Sequence, residues 1–131
     1  MNQNIKWCVL VMLAPALIAL CRPAHAAELI ECRIDSSGEV MEEGFPSTVN
    51  PLSLQSIDLR NGFRFSGVNL EGAGKFKSYV FYESKERQVL IARQEFELQF
   101  QRCGVSLGTH EVYAPYLENH LTFSCQIKCA N

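Results

Sequence analysis

The chain has 131 residues, with 12 lysines and arginines against 14 aspartates and glutamates and a formal net charge of −2. That balance makes nucleic acid and anionic membrane surfaces poor partners, because both require a basic face. The length suits one domain with a modest core.

The chain opens "MNQNIKWCVLVMLAPALIALCRPAHA". Lys6 gives a positive start, Trp7 to Leu20 is nearly all apolar, and Ala24-His25-Ala26 fits a small-residue cleavage site. This is the layout of a secretory signal peptide over residues 1–26. Its apolar core of 14 residues is short against the roughly 20 of a membrane span. The expectation is one exported bacterial domain over residues 27–131, periplasmic or secreted, without a membrane span. Cleavage near Ala26 would leave ten basic residues against fourteen acids, a net charge of −4, and would remove the only tryptophan. It would also leave four cysteines, Cys32, Cys103, Cys125 and Cys129. An even count in an exported chain reads as two disulfides.

The first mature segment, "LIECRID", alternates, with Ile30, Cys32 and Ile34 on one face. "DSSGE" reads as a turn. "EVMEEGFPSTVNP" is acidic, and Pro46 and Pro51 argue for an irregular connection. In "SIDLRNGFRFS", Asn61-Gly62 signals a hairpin. A two-residue loop would set Leu59 and Phe63 on opposite faces. A three-residue loop of Arg60, Asn61 and Gly62 pairs Leu59 with Phe63 and Ile57 with Phe65, so all four share a face. Register follows the buried face, which predicts a type I turn with Gly62 left-handed in a bulge.

"EGAGK" is a turn, and "KFKSYVFYE" is rich in aromatic strand formers. "SKERQVLIARQEFELQFQRC" is ambiguous. Its composition favours a helix over residues 85–101, which would make the fold α+β. Strict alternation in "EFELQFQ" instead matches a half-buried strand, and Val89-Leu90-Ile91 could pair back onto "YVFY". Two β segments with a change of facing near Ala92 to Gln94 are the better match. Residues 104–119 read as a long connection containing Gly108 and Pro115, and "HLTFSCQIKC" closes the chain as an alternating strand. The sum is an all-β domain, a small antiparallel sandwich or barrel of about six to eight strands with two disulfides.

Cys125 and Cys129 share a face of that last strand. Four residues of strand span roughly 13 Å, beyond the roughly 7 Å that a disulfide tolerates between Cα atoms. Each must therefore find Cys32 or Cys103, in either of two arrangements. A C-x-x-x-C spacing on a strand lacks the helix start that activates a redox thiol. A zinc site would need reduced thiolates in an oxidising compartment.

"GVSLG" matches the G-x-S-x-G nucleophile elbow, and Ser106, Glu118 and His120 follow in hydrolase order. The strand before, the helix after and the large parallel sheet are missing, so a loop is the simpler reading. His110 and His120 show no metal-binding spacing, "EGAG" lacks the length of a phosphate loop, and no cofactor or metal is implied. Two features suit recognition by another protein. Tyr79 and Phe81 point away from Phe76 and Tyr82, so some of these aromatics face outward. His110, Tyr113 and Tyr116 lie in a segment where tyrosines offer rigid contact area.

The leading expectation is a non-enzymatic binding domain, such as an inhibitor or an envelope or secretion assembly accessory, whose partner is another protein in the envelope or outside the cell. The alternatives are a small secreted hydrolase using Ser106 and a toxin or adhesin subunit.

Overall fold

A computed structural model describes residues 29–98, 102–115 and 118–129. The expected leader and Tyr116 lie outside these residues. The described chain is all-β, with eight strands: β1 Leu29–Ser36, β2 Glu39–Thr48, β3 Gln55–Asp58, β4 Phe63–Leu70, β5 Lys75–Ser84, β6 Arg87–Glu97, β7 Ser106–Tyr113 and β8 His120–Ile127. They form one nearly closed, barrel-like sheet in the order β6-β5-β4-β2-β1-β8-β7, with β3 also on β4. β2 joins the two halves. It pairs with β1 from Glu39 to Pro46, then runs parallel to β4 at Ser47 and Thr48.

The β3–β4 hairpin adopts the expected register. Ile57 lies opposite Phe65 and Asp58 opposite Arg64. Leu59 N donates to Phe63 O at 2.8 Å, and Gly62 has φ +90°. Ile57, Leu59, Phe63 and Phe65 are all buried, while Asp58 and Arg64 pair on the outer face.

Strand alternation sets the core. Ile30, Cys32 and Ile34 from β1 meet Leu121, Phe123, Cys125 and Ile127 from β8, all buried. Cys32 lies directly opposite Cys125, and the two form a disulfide with Cα atoms 4.0 Å apart. Cys103 takes Cys129, with Cα atoms 4.7 Å apart. Of the two open arrangements this is the one realised, because the β1–β8 register sets Cys125 against Cys32, while Cys129 lies past the end of β8 and is exposed rather than on its buried face.

Six aromatic side chains close a ring around the interior. Phe45 contacts Phe65, Phe65 contacts Phe123, Phe123 contacts His110, His110 contacts Phe96, Phe96 contacts Phe76, and Phe76 returns to Phe45. Centroid separations run from 4.9 to 6.1 Å, within the range of favourable aromatic pairs. The four members Phe45, Phe65, Phe76 and Phe123 are fully buried, each stabilising the fold by about 1.5–3 kcal/mol relative to exposure. Phe96 and His110 are half-buried, and they meet where β6 faces β7. Those two strands share no ladder pairing, so side chains close the barrel there.

Three expectations need correction, and one alternative is decided. The acidic segment after the first turn is a ten-residue strand, β2, rather than an irregular connection. Pro46 fits because it lies opposite Leu29, at the end of the β1 ladder, where a missing N–H costs least. Residues 106–113 are strand β7, hidden in the sequence because a register shift between Ser106 and Thr109, with Gly108 at φ +92°, breaks the alternation. Residues 87–97 are one continuous strand, so the helical alternative over 85–101 is not taken. The change of facing comes at Ile91 rather than between Ala92 and Gln94. Val80 opposes Ala92 but Phe81 opposes Leu90, which leaves Ile91 as an extra residue in a bulge.

Candidate functional site

The β5–β6 hairpin extends beyond the barrel as an arm. Its ladder continues to Ser84 opposite Arg87, yet residues 83–90 are all exposed. Its tip is a two-residue turn in which Lys85 and Glu86 have φ of 49° and 62°. Both central residues of a type I′ turn take such angles, and that turn suits the twist of a hairpin. The ladder keeps the arm ordered without burial.

The Ile91 bulge decides what the arm shows. It moves Leu90 to the outer face beside Phe81 and sets Val89 opposite Tyr82. Val89 and Leu90 are 43% and 48% exposed. Tyr79 and Phe81 are half-buried on that outer face, opposite Ser66 and Arg64 of β4, while Tyr82 turns back onto Phe63. Tyr82, Val89, Ile91 and Pro115 line a shallow hollow at the root of the arm. From Arg87 to Arg93 the strand reads Arg-Gln-Val-Leu-Ile-Ala-Arg, an apolar centre between two arginines with no acid. Among the described residues β6 has one ladder partner, β5, so its other edge offers backbone donors and acceptors.

Below the arm lies a charged surface network. Lys75 Nζ is 2.7 Å from Glu95 and 3.1 Å from Glu97, and Arg93 is 3.3 Å from Glu95. The hydrogen bond from Lys75 holds the Glu95 carboxyl below its ordinary range, and Glu95 in turn raises Lys75. Exposed pairs of this kind fix side-chain directions more than they stabilise.

The other expected recognition residues are dispersed. His110 is turned into the aromatic ring, with Nε2 3.3 Å from Leu107 O. Tyr113 is 61% exposed at the end of β7. Its hydrogen bond to Glu111 raises the phenol above its ordinary value, and its ring lies 5.6 Å from that of His120. His120 Nε2 is 3.7 Å from Glu111. These three side chains serve one another on a strand face rather than in a loop.

Ser106, Glu118 and His120 are not brought together. Ser106 opposes Gln126 and His120 opposes Tyr113, at opposite ends of β8. Six residues of strand separate these levels, roughly 20 Å, well beyond the reach of a nucleophile and its base. Ser106 Oγ instead accepts a hydrogen bond from Gly108 N at 3.1 Å. It borders a polar groove with Glu31, Arg33, Glu42, Ser124 and Gln126.

Among the described residues, no group of three or more His, Cys, Asp or Glu side chains could hold a metal ion. No helix there is long and apolar enough to cross a membrane. Val89 and Leu90 were not among the residues singled out by sequence. The available signal was the conflict between "VLI" and the alternation on either side of it, which a bulge resolves. Compared with known proteins, the chain matches no family model, no curated protein and no solved structure.

Proposed function

We propose that this chain is an exported, disulfide-stapled binding domain that engages another protein through the β5–β6 arm. The observation that carries this reading is an ordered two-stranded arm that holds Val89 and Leu90 in solvent beside Phe81, with one strand edge unpaired. An unpaired edge invites addition of a strand from a partner. The two arginines at the ends of the Val-Leu-Ile segment select its chemistry. The partner segment is extended, apolar at its centre and acidic at its flanks, so that one carboxylate meets Arg87 and another takes the place of Glu95 at Arg93. The signal-like leader and the paired cysteines support a setting outside the cytoplasm.

The test is a photo-crosslinking side chain placed at position 90 in the producing cell, with position 42 on the opposite half of the barrel as control. A protein adduct is expected from position 90 and not from 42. It should disappear when Arg87→Glu and Arg93→Glu are combined. An adduct from position 42 alone, or none from 90, overturns the assignment.

A further inference from the structure

The two disulfides differ in what can reach them. Cys32 and Cys125 are 0% and 2% exposed, inside the barrel between β1 and β8. Cys103 and Cys129 are both exposed, where the connection from β6 to β7 meets the end of β8. Thiol–disulfide exchange requires a thiolate to approach a sulfur directly, so access governs its rate. Exposed Arg102 precedes Cys103 in the chain, and cationic surroundings favour a departing thiolate.

We propose that Cys103–Cys129 is a thiol–disulfide exchange site. A dithiol opens it and a disulfide oxidant reseals it, while Cys32–Cys125 stays closed and the barrel stays folded. In the opening step one donor thiolate attacks a sulfur of the bond, forms a mixed disulfide and releases the other cysteine as a thiolate. The second donor thiolate then attacks the donor sulfur and releases the remaining cysteine. The donor leaves as its disulfide, and the protein gains two electrons and two protons as a pair of thiols.

The barrel does not depend on this bond for the pairing beside it. Gly104 N donates to Ile127 O at 2.6 Å, and Ile127 N donates to Val105 O at 3.0 Å. These bonds hold the start of β7 against β8 on the barrel side of the disulfide. The buried pair, in contrast, can meet a reductant only when the core opens.

The experiment treats the oxidised protein with graded dithiothreitol, alkylates with iodoacetamide and maps the labelled peptides over time. Cys103 and Cys129 should be labelled on the order of a thousandfold faster than Cys32 and Cys125, because the open state that exposes the latter is populated at about 10⁻³ or less. The far-ultraviolet circular dichroism should not change while only the first bond is open. Equal labelling rates, or loss of the spectrum with the first bond, would overturn the proposal. The variant Cys103→Ser leaves the Cys129 thiol to attack oxidised glutathione and release one glutathione thiolate. A glutathione adduct on Cys129 is expected, and a protein that takes up none contradicts the assignment. This proposal is independent of how the arm meets its partner.

Discussion

His110 stacks on Phe123, with ring centroids 5.1 Å apart and planes 28° apart. It also receives Phe96 edge-on at 5.3 Å. One imidazole thus carries the aromatic ring across the only place in the described barrel order where neighbouring strands lack ladder hydrogen bonds.

His110→Ala should therefore destabilise the fold by about 1–3 kcal/mol, as loss of a partly buried ring predicts. A double-mutant cycle with Phe96→Leu should show a coupling of about 0.5–1.5 kcal/mol, the range for aromatic pairs. Urea unfolding of the four proteins measures both. Simple additivity would mean that the seam is closed by other contacts.

Gly67 sits inside the ring, where an added Cβ would lie 2.8 Å from Phe45 Cε1 and 3.0 Å from Phe76 Cζ. Neither phenyl can retreat without disturbing its other ring partner. Gly67→Ala should cost about 1–3 kcal/mol, as overpacking of a dense core does. A denaturation midpoint equal to the parent's would show that the ring has slack.

The hairpin turns predict changes of opposite sign. Gly62 has φ +90°, and a side chain there would also crowd Tyr82 Cε2 at 3.3 Å. Gly62→Val should lower stability by about 1–3 kcal/mol. Lys85 and Glu86 take left-handed angles with nothing crowding the arm's tip. Combining Lys85→Asn with Glu86→Gly should raise stability by about 0.5–2 kcal/mol, since Asn-Gly is the preferred type I′ pair. Thermal unfolding reads both directions in one comparison.

Much of this was legible in the sequence for a definite reason. The β3–β4 register was recoverable because Ile57, Leu59, Phe63 and Phe65 share a face in one loop length and conflict in the other. Cys125 and Cys129 could be separated because extended chain has a fixed rise. What escaped were the places where one residue breaks the period. The bulge at Ile91 and the shift around Gly108 each reverse facing midway along a strand. Alternation counted across them averages to nothing, which hides strand β7 and the exposure of Leu90 in the sequence. The aromatic ring was illegible for another reason: it joins residues from six strands, and sequence gives no sheet order.

Acid should weaken the fold in part through Asp58. The hydrogen bond from Arg64 holds the Asp58 carboxyl below its ordinary value, against a small opposing effect of desolvation. A group lowered on folding contributes stability above its unfolded value and loses it as pH falls through the folded one. The contribution is thus complete above about pH 5 and fades below about pH 4. Asp58→Asn should lower the neutral stability slightly, by no more than an exposed pair contributes, leave the most acid region nearly unchanged, and so flatten the limb between them. Urea midpoints between pH 2 and 7 test it, and an unaltered acid limb would assign the effect to other carboxylates.

The Cys32–Cys125 bond stitches the first strand to the last, 93 residues apart in sequence. Suppose the molecule is tethered by Leu29 and Cys129 and put under tension. The load path runs from β1 across the two sulfurs into β8, and the covalent loop from Arg33 to Ser124 is bypassed. Strands β2 to β7, with the β5–β6 arm, hang from that path without carrying it. A domain wired in this way can sit in a strained assembly and still hold its arm in shape.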